Sequence, residues 1–271
     1  MEHEALMRLG AFLVIFTVMS VWESFAPRRV LVTSKRNRWA NNLALLSLNP
    51  ISLRLIFSIL PVSLALLAEQ RHWGLLNQIV LPDGVELMIG VLSLDFTIYL
   101  QHVLFHSIPT LWRLHMVHHT DLDFDVTTGV RFHPLEIILS MGIKLMAVIA
   151  LGPAPVAVLL FEVALSATSL FNHSNIFLPL KADRVLRFFV VTPEMHRVHH
   201  SVVIQETNSN FGFSFPWWDR LFGTYRPQPS KGHVDMVIGL AQCQDPKHLN
   251  LWQLIIMPFT GNPGRVPISR H

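Results

Sequence analysis

The sequence contains very little cysteine, because Cys243 is the one thiol in 271 residues. A single cysteine excludes a disulfide framework, and it also excludes the paired-cysteine motifs that hold zinc or an iron–sulfur cluster. The sequence has no internal repeat, no low-complexity tract and no linker that would separate two units. We therefore expect a single domain over residues 1–271.

Charge is also scarce. Charged residues make up 14% of the chain and hydrophobic residues 51%, with a mean hydropathy of +0.41, whereas soluble domains carry about 25% charged residues. This composition predicts an integral membrane protein. The net charge of +3 is small enough to come from basic residues beside a membrane, and it gives no support to nucleic-acid binding.

Four regions are apolar enough to form membrane spans. They are residues 9–25, 51–67, 85–104 and 137–170. The first three are close to the length that one span requires. The last contains two apolar runs divided by Gly152, Pro153 and Pro155, which predicts a hairpin of two helices. Four or five membrane helices are therefore expected.

A basic segment between the first two apolar regions predicts their orientation. It contains Arg28, Arg29, Lys35, Arg36 and Arg38. The positive-inside rule places such a short basic loop in the cytosol. We expect an all-α membrane bundle with a cytosolic histidine-rich helical cap, in a bacterial inner membrane or the endoplasmic reticulum. The first residues lack a basic n-region, so a cleaved signal peptide is not expected.

Histidine is abundant, and eight of the 15 histidines form three groups at helical spacing. The groups are His102 and His106, then His115, His118 and His119, then His196, His199 and His200. At this composition an HxxHH motif should arise about 0.05 times per chain by chance, yet two copies are present. Residues three and four apart lie on one helix face, so each group is predicted to direct two or three imidazoles at one point.

The type of ligand limits the type of metal only in part. The groups contain no carboxylate, and Cys243 is distant in sequence, so the predicted ligand set is almost entirely nitrogen. One ion takes about four to six ligands, so eight imidazoles exceed what one ion needs. Imidazole suits iron, zinc, copper and nickel, and spacing alone does not choose among them.

Residues 95–225 resemble the fatty acid hydroxylase or sterol desaturase superfamily of membrane di-iron enzymes. The matching segments are HVLFH at 102–106, WRLHMVHHTD at 112–121, RFHPLE at 131–136, NHSN at 172–175, TPEMHRVHH at 192–200 and NFGFSFPWWDRLFGTY at 210–225. Histidine boxes in this order and at these separations are specific, whereas one HxxxH alone is not.

The resemblance implies two iron ions at the cytosolic membrane face, with zinc as a substitute in purified protein. The implied ligands are His102, His106, His115, His118, His119, His173, His196, His199 and His200. No catalytic residue separate from these ligands is expected. His173 is included because the family usually carries one further histidine before the last box, although it could instead only cap a helix. His133 precedes Pro134 at the start of the hairpin, where a structural role is at least as reasonable, so it is left out.

Five acidic residues are candidates to hydrogen-bond the ligand imidazoles, which normally need such a partner. They are Asp95, Asp121, Asp125, Glu136 and Asp219. Asp95 lies seven residues before His102, about two helical turns away on the same face. For Glu136 the alternative is complementing a helix N-terminus. Asp121, Asp125 and Asp219 could equally be ordinary polar loop residues.

Two further segments are less specific. Residues 211–225 are aromatic-rich, which suits either a belt at the membrane interface or a cover over the site, with Gly212 and Gly223 permitting turns. Residues 251–259 are apolar but too short to span a membrane. The remaining candidates for ordinary surface histidines are His233, His248 and His271.

The combined interpretation is a membrane oxygenase that hydroxylates, or desaturates, a sterol or fatty acyl chain with O2. The chain has no haem-binding HPGG segment and no CxxC pair, so a separate electron donor is expected, resembling cytochrome b5, ferredoxin or rubredoxin. Two alternatives remain open. A metal or haem carrier would place its ligands near the bilayer midplane, and a structural zinc site would use only four of the histidines.

Overall fold

The computed structural model describes residues 2–264, which form thirteen α-helices and three single 3₁₀ turns. The helices are α1 Glu2–Phe25, α2 Lys35–Ile56, α3 Pro61–Gln70, α4 Asp83–Ser107, α5 Pro109–His119, α6 Pro134–Leu151, α7 Pro155–Asn172, α8 Leu180–Leu186, α9 Pro193–His199, α10 Ile204–Thr207, α11 Trp217–Leu221, α12 Gly232–Asp235 and α13 Leu251–Thr260. No extended strand occurs among these residues. The all-α prediction is confirmed.

Five helical segments within residues 2–264 are long and apolar enough to cross a membrane. They are Glu4–Phe25, Lys35–Gln70, Asp83–Ser107, Pro134–Leu151 and Pro155–Asn172. The second of these combines α2 and α3, which are separated by a short break before Pro61. It starts 16 residues earlier than the hydropathy of 51–67 predicted, because the Ser34 side chain caps the helix by accepting from the Asn37 N–H.

The predicted hairpin is present. Helix α6 ends at Gly152, whose φ of 64° is left-handed, and α7 starts at Pro155. A Cβ at Gly152 would lie 2.5 Å from the Trp73 carbonyl oxygen, so both the backbone angle and the close approach require glycine. The two helices therefore return to the side of the molecule from which α6 started.

The basic segment differs from its prediction. It is not a simple exposed loop, since α2 begins at Lys35 and Arg38 is only 7% exposed. The Arg38 guanidinium donates to Asp121 at 2.5 Å and to Asp125 at 2.6 Å. A buried guanidinium needs such partners, so this charge is used inside the protein rather than at a lipid surface.

Helices α4 and α5 form a sharp reversal that positions the first histidines. Ile108 is extended, as the residue before a proline usually is, and Pro109 starts α5. The reversal lays α5 back along the end of α4. The amphipathic helix α13 packs on α5 with Leu254 and Met257 buried, which covers the outer side of the histidine region.

Candidate metal centre

Nine histidines converge at one end of the bundle, and each is at most 3% exposed. They separate into two groups. One contains His102, His106, His115, His119 and His199, and the other contains His118, His173, His196 and His200. Within each group the nearest ring nitrogens all lie within 4.8 Å of one another. We call these the five-histidine and the four-histidine groups.

This division differs from the expectation that each HxxHH box aims at one point. His115 and His119 join the five-histidine group, whereas His118 between them joins the other. The third box is also divided. His196 and His200 are in the four-histidine group, whereas His199 is in the five-histidine group. Residues at i and i+4 share a face, while i+3 lies about 60° away from i, so a single short helix can serve two points.

Hydrogen bonds at the outer nitrogens determine which ring atom carries a lone pair. His102 Nδ1 donates to the Phe211 carbonyl oxygen at 2.7 Å, and His115 Nδ1 donates to Glu136 Oε1 at 2.6 Å. Both Nε2 atoms are then unprotonated, yet they face each other at 3.1 Å. Two lone pairs at this distance repel unless a cation lies against both.

The four-histidine group repeats the arrangement. His173 Nδ1 donates to the Ser169 carbonyl at 2.8 Å, and His118 Nδ1 donates to the Arg131 carbonyl at 3.3 Å. Their Nε2 atoms face each other at 3.2 Å. Backbone carbonyls thus fix the tautomers here, as they commonly do for metal-ligating histidines.

Several ring nitrogens have no hydrogen-bond partner among the described residues. His200 is completely buried and neither of its nitrogens is bonded, while His199 Nδ1 donates to the Ser209 carbonyl and its Nε2 is unpaired. Leaving a buried polar atom unpaired is costly, and metal coordination removes that cost. The residues therefore fit two metal ions with imidazole ligands.

Burial also keeps these imidazoles in the ligating form. Burial lowers the pKa of His119, His199 and His200 well below the ordinary 6.5, and repulsion from neighbouring histidines lowers it further. The neutral ring, which has a free lone pair, is consequently the stable form at neutral pH.

Among the five acidic candidates, Glu136 alone contacts a histidine of the two groups. Asp121 and Asp125 instead pair with Arg38 and with the threonine hydroxyls that follow them. Burial would raise the pKa of Asp121, but the Arg38 guanidinium holds it below its ordinary value. The prediction that these two aspartates bond a ligand ring was therefore wrong, because the buried arginine satisfies them.

Asp95 and Asp219 also differ from their prediction. Asp95 Oδ2 accepts from the Trp218 indole at 2.8 Å rather than from a histidine, although the predicted helix face is correct. Asp219 accepts from the backbone N–H groups of Phe211 and Gly212 at 2.8 and 2.9 Å. Since the Phe211 carbonyl accepts from the His102 ring, Asp219 positions a ligand through the backbone. Burial raises the pKa of Asp219 to about 6.

His133 and His233 have structural surroundings. His133 caps α6 by accepting from the Leu135 N–H, and its other nitrogen donates to the Ile255 carbonyl. His233 was expected at the surface, but it is 4% exposed and its Nε2 lies 3.1 Å from Glu194. That pairing is nonlocal, so sequence gave no sign of it. His248 is exposed as predicted, and His271 lies outside the described residues.

The aromatic segment 211–225 covers the histidines, as one of its two predicted roles requires, and the interfacial belt stays a prediction. Phe211 and Phe213 pack against the five-histidine group in edge-on and tilted arrangements, with the Phe213 ring centroid 5.1 Å from that of His102. Trp217 is 40% exposed and faces outward. Gly223 has a φ of 72°, whereas Gly212 is required for close approach, since a Cβ there would meet Asp219 at 2.8 Å.

Sequence reasoning missed an ion cluster behind the third box. Glu194 on α9 accepts from Arg28 at 2.6 Å and from Arg197, also on α9, at 2.7 Å. Burial would raise the pKa of Glu194, but Arg197 and Arg28 keep it below the ordinary value. A signal was available in the third histidine box, which contains Glu194 and Arg197. On a surface helix these charges would need no partner, but beside buried ligands they must be paired.

The fold and the site together define a class: a membrane helical protein with two adjacent groups of buried histidines that could hold metal at one end of its spans. Comparison with known families places the chain more narrowly. Residues 87–224 match the fatty acid hydroxylase family, and the chain belongs to that family. No solved structure is significantly similar to the chain.

Several characterised lipid enzymes are similar in sequence. Ornithine lipid hydroxylase OlsE of Rhizobium tropici is 31% identical over 158 residues, which cover 58% of this chain and 46% of that protein. Alkylglycerol monooxygenase of Xenopus tropicalis is 28% identical over 145 residues, covering 52% and 30% respectively. Cholesterol 25-hydroxylase of Homo sapiens is 27% identical over 165 residues, covering 57% and 59%. The matches thus span roughly a third to three fifths of these relatives.

Proposed function

We propose that this protein is an O2-dependent lipid hydroxylase with two iron ions, acting on a sterol or fatty acyl chain taken from the bilayer. The observation that carries the proposal is the pair of buried histidine groups, within each of which two Nε2 atoms face one another at 3.1 Å. Iron bound there would supply activation of dioxygen. Hydroxylation is favoured because the similar relatives are named hydroxylases and monooxygenases.

The protein's own part is to fix the ligands before iron arrives. Glu136 and the backbone carbonyls of Ser169 and Phe211 orient the rings that they bond. Orientation from outside the ligand set raises metal affinity because the rings lose no further freedom on binding. The single domain proposed for residues 1–271 supplies these partners from segments far apart in sequence.

A cavity provides access for an apolar substrate. It has a volume of about 320 Å³ and lies between α1, α4, α6 and α7. His102 and His115 line one end of it, beside the rings of Phe105, Phe132 and Phe213. The four-histidine group does not line it, so a substrate would meet the five-histidine group first. This volume is in the range of small-molecule sites, which extends from about 300 to 1,000 Å³.

We propose that the two electrons come from a separate protein, because residues 1–271 contain no paired cysteines. We propose a cytochrome b5-, ferredoxin- or rubredoxin-like donor. The orientation of the histidines toward the cytosol also remains our proposal. It depends on the basic residues at 28–38, of which Lys35 and Arg36 in the first turn of α2 are exposed.

The test combines metal content with product analysis. Detergent-purified protein would be assayed for iron and zinc, and membranes supplied with reductant and isotopically heavy O2 would be searched by mass spectrometry for labelled hydroxylipids. We expect about two iron ions per chain and labelled product. His118→Ala with His199→Ala, one from each group, should abolish both, whereas His248→Ala at the exposed histidine should not.

One zinc ion or none, unchanged in the double variant, would contradict the proposal and favour a non-catalytic membrane metal protein or carrier.

A further inference from the structure

Charged residues lie in the cavity at the end opposite the histidines. Lys144 on α6 contacts Glu162 on α7 at 2.8 Å, and Arg8 on α1 contacts the other oxygen of Glu162 at 2.8 Å. All three line the cavity. Ionisable side chains inside a membrane segment are costly and are most often retained for function.

The charges of this cluster balance, but its donors are not all used. Arg8 also contacts Glu4 at 3.1 Å, so two cations face two carboxylates. Among the described residues, Glu162 is the one hydrogen-bond acceptor of Lys144, which has three N–H donors. Arg8 also contacts both carboxylates, and its side chain is 31% exposed. The cluster therefore has spare donors beside the cavity and suits a neutral or anionic oxygen acceptor.

The separation of the cluster from the metal centre follows from helix geometry. Lys144 lies eight residues after Glu136, the partner of His115, which is roughly 12 Å along α6 at 1.5 Å per residue. Ser140 lies between them on the same face and bonds Gln101 across the cavity. Most of the remaining lining is apolar, including Phe105, Met141 and Leu165, although Ser166 and Ser169 also line the cavity.

We infer that the cavity binds a single-chain lipid with its oxygen-bearing polar terminus at Arg8, Lys144 and Glu162, and with its chain directed at His102 and His115. The polar terminus is a carboxylate or a hydroxyl, because both accept from the spare donors. An ion cluster that only held helices together could be buried between them. Here Arg8, Lys144 and Glu162 come from three helices and all line the cavity. If the proposed oxygenase function is correct, oxidation occurs far from the polar terminus, roughly 12 Å along the chain.

Photo-crosslinking tests the orientation without requiring turnover. Two fatty acid probes of equal length would carry a diazirine beside the carboxyl group or beside the methyl end, and labelled peptides of the full-length protein would be mapped by mass spectrometry. We expect the carboxyl-side probe to label α1, α6 and α7 around Arg8 and Lys144. The methyl-side probe should label around Phe105, Phe132 and Phe213. Reversed or indistinguishable labelling would overturn the inference.

Variants separate recognition from folding. Lys144→Met should weaken competition by an unlabelled fatty acid about tenfold or more, the usual effect of losing one hydrogen bond to a charged group. Arg8→Gln is a second variant in which the same competition is measured if Lys144→Met does not fold. The Arg8 side chain is 31% exposed, so this change should be tolerated. Lys181→Met, at an exposed lysine on α8, is the matched control and should leave binding unchanged.

A fatty alcohol competitor distinguishes the two acceptors. Equal competition by alcohol and acid supports hydrogen bonding, stronger competition by the acid supports charge pairing, and equal competition by an alkane of the same length would refute recognition of a polar terminus. Oriented labelling without any oxidised product would leave this lipid site standing while contradicting the proposed oxygenase function.

Discussion

The Glu136 carboxylate should control how tightly the five-histidine group holds its metal. Its Oε1 accepts from His115 Nδ1 at 2.6 Å, and both side chains are no more than 5% exposed. Removal of such a partner typically lowers metal affinity 10- to 100-fold, or about 1.4 to 2.7 kcal/mol. Glu136→Leu removes the acceptor completely, whereas Glu136→Gln keeps an oxygen acceptor without charge, so the leucine variant should lose more affinity.

The assay is iron extraction from the purified holoprotein by a chelator, followed over time. In the wild type we expect both ions to leave slowly. In Glu136→Leu one ion of the two should leave faster by a factor within the same 10- to 100-fold range, because His115 belongs to one group only. Glu206→Gln, at a buried glutamate that accepts from the Ser230 N–H, is the control and should match the wild type.

Wild-type extraction of both ions from Glu136→Leu would refute the reasoning. It would mean that packing alone, for example by the Phe105 ring 5.9 Å from the His115 ring, holds the imidazole in place. Faster loss of both ions together would instead show that the two groups behave as one site.

The remaining predictions concern the other histidines and the close packing around them. His106→Ala and His200→Ala should each lower iron from two to one per chain, because each residue belongs to a different group; loss of both ions from either variant would contradict separate sites. Gly129→Ala would place a Cβ 3.3 Å from His173 Nδ1 and 2.7 Å from a backbone carbonyl oxygen, which should cost about 1–3 kcal/mol and lower both melting temperature and iron content; unchanged values would show that the backbone relaxes. Burial lowers the pKa of His233 to about 4 from 6.5, so between these values the unfolded chain binds a proton that the folded chain does not, and stability should fall as pH falls from 6.5 to 4. Thermal melts of His233→Gln should show a weaker decline over that window, and an identical decline would place the effect elsewhere.

Local sequence was sufficient to predict the elements that depend on local physics. Hydropathy predicted four or five spans, and five candidates are present within residues 2–264, since roughly 20 apolar residues in a row have few alternatives to crossing a membrane. Gly152 and Pro155 predicted the hairpin, because a left-handed glycine ends α6 and proline is favoured at the first position of α7. Histidine spacing predicted which residues would converge on metal, but not that each HxxHH box divides between two groups.

The hydrogen-bond and ion-pair partners that lie far apart in sequence could not be predicted in the same way. Asp95 was placed on the correct face of α4, but its carboxylate accepts from the indole N–H of Trp218, which is 123 residues later, and not from a histidine. Arg38 was assigned to a short basic loop in the cytosol, yet it is enclosed by Asp121 and Asp125. Charge type limits which partners are possible, whereas burial, which depends on all packed helices, decides which one is present.

The sequence by itself determined that this is a helical membrane protein of the fatty acid hydroxylase family, with nine histidines suited to metal. Tertiary structure alone decided how those nine divide, since α4, α5, α7 and α9 meet so that adjacent histidines such as His118 and His119 face different groups. It also decided that backbone carbonyls of Phe211, Ser169 and Arg131 orient the rings. A backbone carbonyl is common to every residue, so its use as a partner leaves no mark in the sequence.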